Sequence, residues 1–563
     1  MQNHKILKVA PADTRLQGIF SKELGISKIL SQLLINRGIN TKEEAGKFLG
    51  AGLEYLLDPY SFSDMRRAVR LIKDTAKDRQ KIMVFGDYDV DGLTAITLLK
   101  GTLSEMGINA SHYIPHRIKE GYGLNKNILH CAKEKRVKLL ITVDCGTNNH
   151  EQIKELQHYG INVIVTDHHE PDKAGALPDG CALINPKIKN AGYKYRDLAG
   201  VGVAYKLCQA LTAKTLPEEL DLVCLGTIAD VAPLTGENRI MVKEGLARLG
   251  RTKRPGLKAL TEISGIKGKK ITSRFVGYIL GPRINASGRM DTAETALDLL
   301  MSVKQEEADK LAKIIETHNR QRQKIEGKIS EEAQDLIGRE VNFKEHKIIV
   351  IAKENWHQGV LGIVASKLAD KFYRPTIVIS LTEDLCKGSG RSIKNFHLFE
   401  ALLECREFLQ NFGGHSHAVG LMIARDNIEE FRKKINRLAK EKLLLEDLLP
   451  TLEVDMELKL ADLNEEIIRE LESLEPFGAG NPEPLFYTRN LKLKGEPQVL
   501  GRDTLKFWVT DGEVTSEAIG FGMAGFKESF TEAHFFDLVY KPKIDDWRGE
   551  ETVLLEVEDV FFN

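Results

Sequence analysis

Three short stretches gather the side chains that hold divalent metal ions. The first is GDYDVDG at 86–92, where Asp87, Asp89 and Asp91 alternate. In an extended segment these carboxylates share one face, and their mutual repulsion demands a cation. The spacing also fits the first, third, fifth and sixth positions of an EF-hand loop. The twelfth position, however, is Leu98 where that loop needs Glu, and an apolar run, KIMVFG, precedes it instead of a helix. Calcium sensing is thereby excluded, and a turn of solvated carboxylates is the alternative for this segment alone. The second stretch, ITVDCGT, places Asp144 at the end of an apolar run, and the third, VTDHHE, places Asp167, His168 and His169 at the end of another. Mixed Asp and His donors suit manganese or a related divalent ion better than calcium.

Neighbouring residues of an extended chain point to opposite sides, so His168 and His169 are not expected to serve one ion in the same way. His168 is assigned as the ligand, His169 as a donor to a phosphate under attack, and Asp167 as the group that orients them. Asp230, in TIADVAPL, is a fourth candidate, equally readable as a helix-end or turn residue. GVGVAY (200–205) opens like a dinucleotide fingerprint, but Tyr205 stands where the third Gly belongs and no strand clearly precedes it, so helix packing is expected.

The elements that position these residues are legible as runs. KIMVFG (81–86), KLLITV (138–143) and INVIVT (161–166) alternate with helical stretches at 93–106 and 150–159, which predicts parallel β-α-β units with buried strands. Open parallel sheets bind ligands at the carboxyl ends of their strands, so the three polar tips should meet in one crevice. A helix-rich extension follows over 200–290, then a charged, proline-free stretch of helical period from Asp291 to Arg339 that predicts a long linking helix. A second α/β unit starts at HKIIVIA (346–352), with a helix near 360–372 and a strand at 375–380. From Leu491 onward, short alternating strands and turn signals predict a small antiparallel barrel. The expected division is an N-terminal helical extension (1–70), a catalytic domain (71–290), a linking helix (291–340), an accessory domain (341–445) and a barrel domain (446–563).

The 563 residues are 42% hydrophobic and 29% charged, which excludes disordered and fibrous classes. No apolar run approaches the roughly 18 residues of a membrane span, and the start lacks the apolar core of a signal peptide, so a cytoplasmic protein is expected. The 7 cysteines form no CxxC pair, which speaks for reduced thiols. Lys plus Arg (80) nearly balance Asp plus Glu (81), yet residues 241–290 carry 12 against 2 while residues 451–563 carry 11 against 25. The first region invites polyanions and the second repels them.

GDYDVDG, VDCG, the DHH at 167–169, GTIADVAPL, GPRINASGR (281–289), GSGRS (388–392) and GGHSHAVG (413–420) resemble, in that order, the DHH phosphoesterase family. They are most similar to its branch of single-strand-specific 5′→3′ exonucleases, over almost the whole chain. The resemblance implies an α/β fold: a parallel-sheet DHH catalytic domain, a long linking helix, a second α/β accessory (DHHA1) domain and a C-terminal OB-like β-barrel. By position it implies two divalent ions, Mn2+ or Mg2+, held by Asp87, Asp89, Asp144, His168 and Asp230. Asp144 would be shared, with Asp89, His168 and Asp230 completing one site and Asp87 contributing to the other. Asp91 and His169 join the catalytic group. Many members carry His four residues before the first Asp; here that residue is Met83, and Asp91 or water is the substitute.

The same resemblance gives the basic 241–290 stretch a role in drawing in single-stranded DNA. It makes Arg117 (in IPHRIKEGYG), Arg283, Asn285, Arg289, Ser389, Arg391, His415 and His417 the candidate contacts, with Ser389 and Arg391 holding a 5′-terminal phosphate. In the barrel, Phe507 and Trp508 are candidates for base stacking, and Arg502 and Lys506 for a basic strip. A single-strand-binding protein and a RecQ-type helicase are the implied partners of a monomer acting in DNA repair and recombination. Two other readings are weighed against this one. A phosphoesterase of short oligonucleotides or pyrophosphate would need neither the barrel nor the long helix. A catalytically inactive DNA-binding scaffold would not need the full set of carboxylates and both histidines.

Overall fold

The computed structural model describes residues 5–172, 177–383, 385–545 and 551–562. It forms two compact units. One holds Asp58–Ala232 and Glu244–Pro450; the other is assembled from Lys5–Leu57, Pro233–Lys243 and the chain from Thr451 onward.

A short strand, β1 (Ile6–Val9), opens the described chain and belongs to the second unit. The first unit begins with a sheet of β2 (Lys81–Gly86), β3 (Ala110–Tyr113), β4 (Val137–Val143), β5 (Asn162–Thr166) and β6 (Ala182–Ile184). Its order is β3-β2-β4-β5-β6, all parallel. The strands are apolar almost throughout because both faces are covered. Met83, Phe85, Leu140 and Val165 pack with Ile128 and Leu156 from the helices Lys126–Glu134 and His150–His158. The opposite face meets the helices Val90–Glu105 and Gly200–Thr212, which also pack on each other. The chain leaves β2 toward β3 and returns on the other side of β2 as β4. This reversal opens a crevice at the carboxyl ends of β2 and β4, where Asp87 and Asp144 emerge.

One expectation fails at this point. Asp87, Asp89 and Asp91 do not share an extended face, because the helix begins at Val90. The Asp89 carboxylate caps it, accepting from the Asp91 and Gly92 amides at 3.0 and 3.1 Å, and Asp91 belongs to the first helical turn. GVGVAY does open a helix, Gly200–Thr212, as expected.

The basic stretch is partly neutralised by acids outside it. Arg254 pairs with Glu219 and Asp221, Arg248 with Glu218, and Arg283 with Glu316. Residues 291–340 contain two helices, Glu294–Met301 and the 36-residue Gln305–Glu340. The accessory sheet comprises β7 (Ile349–Glu354), β8 (Thr376–Leu381), β9 (Leu385–Arg391), β10 (Leu409–Gly414) and β11 (Ala418–Ala424), ordered β10-β11-β9-β8-β7. Only β7 and β8 are parallel, and the helix Leu361–Phe372 connects them.

In the second unit, β12 (Thr451–Val454) and β13 (Met456–Glu457) lead to β14 (Phe486–Leu500), β15 (Thr504–Thr510), β16 (Thr515–Phe521), β17 (Phe536–Asp545) and β18 (Thr552–Phe562). Pairing runs β14-β15-β16-β18-β17 and returns to β14, closing a five-stranded barrel. The N-terminal helices Thr14–Leu24 and Lys28–Asn36 contribute Phe20, Leu30, Leu33 and Leu34 to the barrel's own apolar core, with Leu471, Phe486 and Phe530. β1 pairs in parallel with β12. Arg239 ties the three segments together, donating to the backbone oxygens of Phe48, Ser473 and Leu474. Phe507 is 1% exposed, its ring 4.4 Å from that of Phe530, so it is a core residue and not a stacking platform; Trp508 is 44% exposed. Lys506 is paired with Glu517.

Candidate metal and phosphate site

The carboxyl end of the first sheet gathers three sets of donor atoms, each set within 4.8 Å of one another: Asp87, Asp89 and Asp144; Asp144, His168 and His169; and Asp91, His168 and Asp230. Asp144 is common to two sets and His168 to two. Asp87 Oδ1, Asp144 Oδ1 and His168 Nε2 are buried without a hydrogen-bond partner. Burying such atoms unpaired costs about 1–3 kcal/mol each, more for charged groups, so three converging in one crevice suit a bound cation. His168 Nε2 lies 3.1 Å from Asp144 Oδ1 and 3.8 Å from both Asp91 Oδ2 and Asp230 Oδ2.

The charge states agree with that reading. Burial first, then the neighbouring carboxylates, push Asp87, Asp144 and Asp230 well above the usual range and Asp91 up to about 7. Burial, then the nearby His169, holds His168 down to about 3, so its imidazole is neutral. A hydrogen bond to the Leu198 backbone occupies its other nitrogen and leaves the Nε2 lone pair facing the carboxylates. Burial would lower His169, but the bond from Nδ1 to Asp167 Oδ1, 2.8 Å, raises it to about 9. Burial would likewise raise Asp167, but the His169 ring, then His168 and the Thr147 side chain, hold it below the usual range; its Oδ2 also accepts from the Thr147 amide. Asp167 also accepts from the His168 and His169 amides.

The backbone makes this crowding possible. Asp144 sits at φ +61, a left-handed conformation that Asp tolerates better than most residues. Asp91 accepts from the Gly200 and Val201 amides, 2.7 and 2.8 Å, at the start of the helix Gly200–Thr212. A Cβ at Gly200 would lie 2.6 Å from Asp144 Oδ1. Asp230 caps the apolar helix Leu220–Ala229, which packs on the helix Val90–Glu105 and so brings the fourth carboxylate to the strand ends. Met83, where many members of the resembled family carry His, is wholly buried in the sheet core.

A second cluster adjoins the first. The Arg117 guanidinium stands 4.7 Å over the ring of Tyr88, between Asp87 and Asp89 in sequence. Arg289 donates to the Gly359 backbone oxygen at 2.9 Å; burial, then Arg117, Arg322 and Arg391, lower its pKa well below the ordinary value. An arginine stays protonated in a protein, so this crowding is a demand for an anion. Ser389 and Arg391 lie on β9 beside the first turn of the helix Leu361–Phe372. A Cβ at Gly362 would be 3.1 Å from Ser389 Oγ and 3.2 Å from Arg391 Nη2, so hydroxyl, guanidinium and helix N-terminus face one space.

The other predicted contacts divide. Arg283 donates to Glu316 on the long helix and to the Ile279 backbone oxygen, which makes it a brace. Asn285 Oδ1 is buried without a partner. His415 stacks on His169 at 6.2 Å between ring centroids, bringing the accessory domain to the DHH motif. His417 is exposed, and its backbone oxygen accepts from the Ser392 amide. Sequence reasoning missed Tyr122, whose hydroxyl lies 2.9 Å from His169 Nδ1 and 3.1 Å from the Asp144 backbone oxygen. It also missed Gly362 and Gly359, and read Gly200, in GVGVAY, as helix packing without its close approach to Asp144. Tyr122 left a sequence signal, its place between two glycines.

Comparison with known proteins accounts for this arrangement. Residues 81–227 match the DHH family, N-terminal domain, residues 345–441 the DHHA1 domain and residues 454–559 the RecJ OB domain. The chain is 38% identical over 542 residues to the single-stranded-DNA-specific exonuclease RecJ of Bacillus subtilis (strain 168), covering 96% of this chain and 68% of that one. It is 33% identical to the protein of the same description from Dickeya dadantii (strain 3937), covering 95% and 96%. The fold superposes on RecJ of Thermus thermophilus in complex with Mn2+ with a TM-score of 0.86 at 28% identity, over all of this chain and 80% of that one. The same protein is known in complex with Mg2+, TM-score 0.79. Three domains in the expected order, and relatives above 30% identity matched over nearly their full length, place the chain in the RecJ family.

Proposed function

We propose that this chain is a metal-dependent exonuclease that hydrolyses the phosphodiester bonds of single-stranded DNA from the 5′ end, in DNA repair and recombination. The observation that carries the reading is the set of unpartnered buried atoms on Asp87, Asp144 and His168, converging from three strand ends beside a crowded group of guanidiniums. Asp87, Asp89 and Asp144 would hold one Mn2+ or Mg2+ ion, and Asp144, His168 and Asp230 the other; Asp89 is thus assigned with Asp87, beside which its carboxylate lies, and not with His168 and Asp230 as the resemblance implies. When bound, these ions supply Lewis acidity to the phosphoryl group and acidity to an attacking water. Asp91 sets the approach of the helix Gly200–Thr212. His169, kept protonated by Asp167, donates to a phosphoryl oxygen where negative charge develops. Ser389, Arg391, Arg117 and the N-terminus of the helix Leu361–Phe372 hold the 5′-terminal phosphate. Arg289 and Asn285 face the strand, and His415 and His417 approach it from the accessory domain.

The deciding experiment is a timed digestion of single-stranded DNA, duplex DNA and RNA, labelled at either end, with Mn2+ or Mg2+. Release of 5′-terminal mononucleotides from single strands alone is expected; attack from the 3′ end, or on duplex at equal rate, would refute the reading. Interaction with a single-strand-binding protein and a RecQ-type helicase belongs to the proposal on the family resemblance alone. Action in the cytoplasm is likewise proposed on the family resemblance; among the described residues no helix is long and apolar enough to cross a membrane.

Metal binding should release protons. Asp87, Asp91, Asp144 and Asp230 have raised pKa values in the metal-free fold, so they favour the folded state at low pH and lose that contribution as pH rises through about 7 for Asp91. A cation that displaces those protons therefore binds more tightly as pH rises, by up to about tenfold per pH unit for each proton released. Calorimetric titration with Mn2+ at pH 6, 7 and 8 measures this, and affinity independent of pH would contradict it.

Arg391→Ala should reduce the preference for a 5′-phosphate over a 5′-hydroxyl end by about 10- to 100-fold, the worth of a charge-assisted hydrogen bond. Binding along the strand should change far less. Equal loss on both kinds of end, measured with paired oligonucleotides, would place the anchor elsewhere.

A further inference from the structure

The loop from Ile114 to Gly123, between β3 and the helix Lys126–Glu134, touches three parts of the site. Arg117 lies over Tyr88 in the first carboxylate motif. The Ile118 backbone oxygen accepts from Lys387 Nζ at 2.8 Å, two residues before Ser389 on β9. Tyr122 reaches the DHH motif, its hydroxyl 2.9 Å from His169 Nδ1 and 3.1 Å from the Asp144 backbone oxygen, its ring 5.2 Å from the His169 ring. The loop is itself braced. Glu120 accepts from the His116 amide, the Tyr113 hydroxyl and Asn125 Nδ2.

We infer that Tyr122 is a positioning residue, one that fixes the His169 imidazole and the Asp144 strand end in their working geometry; the inference rests on the nuclease reading above. The chemistry of the hydroxyl suits both partners. It has one proton to donate, which the Asp144 carbonyl oxygen accepts, and lone pairs that receive the His169 N–H shared with Asp167 Oδ1. The Asp144 carbonyl benefits because a left-handed residue at a strand end turns its oxygen out of the ladder. The amide of the same residue still bonds to Thr166 O at 3.0 Å. Asp167 Oδ1 and the Tyr122 hydroxyl meet the same His169 Nδ1, so that one ring atom is held between two acceptors and the imidazole has less freedom to swing than with either alone.

The backbone around Tyr122 is shaped to deliver it. Gly121 and Gly123 both adopt left-handed conformations, φ +80 and +81, and a Cβ at Gly123 would lie 2.9 Å from Asn149 Oδ1. The ring is 48% exposed although its hydroxyl is turned inward, so the phenol is not there to fill a core. Because Arg117 sits five residues earlier on the same braced loop, the group that meets a terminal phosphate and the group that steadies His169 are parts of one piece of chain.

The test is Tyr122→Phe, which removes only the hydroxyl. With wild-type and variant proteins, kcat on single-stranded DNA should fall by about 10- to 100-fold, while KM and the dissociation constant measured in EDTA stay within about twofold. In a double-mutant cycle, Tyr122→Phe should cost little more when His169 is already Ala. A readout that needs neither metal nor turnover is the nitrogen spectrum of histidine-labelled, metal-free protein, in which the His169 resonances should shift in Tyr122→Phe while those of His150 and His318 do not. Unchanged turnover together with unchanged His169 resonances would overturn the inference. So would a loss of DNA affinity equal to the loss of rate, or full additivity with His169→Ala. If the wild-type protein fails to cut single-stranded DNA, the nuclease reading falls, and the histidine spectra still decide whether Tyr122 positions His169.

Discussion

Asp144→Asn is expected to lower turnover on single-stranded DNA by at least about 10³-fold with either ion, a loss of roughly 4 kcal/mol or more of transition-state stabilisation. The substitution keeps the side-chain shape, and Asn accepts the left-handed φ of +61 found there as readily as Asp does, so the fold should be undisturbed. What is removed is the negative charge that belongs both to the Asp87–Asp89 group and to the His168–His169 group. Strand binding in EDTA should stay within about threefold, since the guanidinium cluster is untouched. Single-turnover digestion of a labelled oligonucleotide, paired with anisotropy titration, measures both quantities. Turnover within tenfold of wild type would eliminate Asp144 as the shared ligand.

Gly200→Ala should damage the same site, by a smaller factor, without altering any polar side chain. The added methyl would fall 2.6 Å from Asp144 Oδ1, 2.7 Å from its Cβ and 2.8 Å from its Cγ, distances that force the helix Gly200–Thr212 and the strand end apart. The Gly200 and Val201 amides that hold Asp91 move with that helix. Mn2+ affinity and turnover should each drop by about 10- to 100-fold, with about 1–3 kcal/mol of stability lost to overpacking. Gly327→Ala is the contrast. It lies within the helix Gln305–Glu340 with nothing within 4 Å of the new methyl, and should stabilise the protein by up to about 1 kcal/mol. Calorimetric titration with Mn2+ and thermal unfolding separate the two, and wild-type Mn2+ affinity in Gly200→Ala would refute the packing argument.

The strand-end carboxylates were legible because an apolar run that stops at Asp declares both the strand and its tip. Leu98 in place of Glu sufficed to dismiss the calcium loop. The place of Asp91 was not legible. Alternation in an extended chain put it beside Asp87 and Asp89, but Asp89 caps a helix that starts one residue earlier than Asp91, and the first turn rotates Asp91 toward another helix. Arg283 read as a phosphate contact because its partner, Glu316, lies 33 residues away on a helix whose face the sequence alone does not orient. Phe507 and Trp508 differ only in which side of β15 they occupy, and adjacent strand residues always face opposite sides; the barrel's closure decides which one is buried. Gly200 and Gly362 matter for which side chains come near them; GVGVAY announced close packing at Gly200, but not that Asp144 is the neighbour.

The shared core of the barrel and the N-terminal helices sets an order of events during synthesis. Phe20, Leu30, Leu33 and Leu34 leave the ribosome early, but the strands that cover them, and the β12 edge that pairs with β1, come roughly 400 residues later, a delay of about 20–80 s at ordinary elongation rates. Throughout that interval the N-terminal helices present an apolar face with no partner from their own chain, while the nuclease sheet and accessory domain have all their strands and can close. The nascent protein therefore passes through a stage in which its catalytic half is built while its first fifty residues still await the strands that bury them. A chain cut short before Thr451 would be held at that stage permanently.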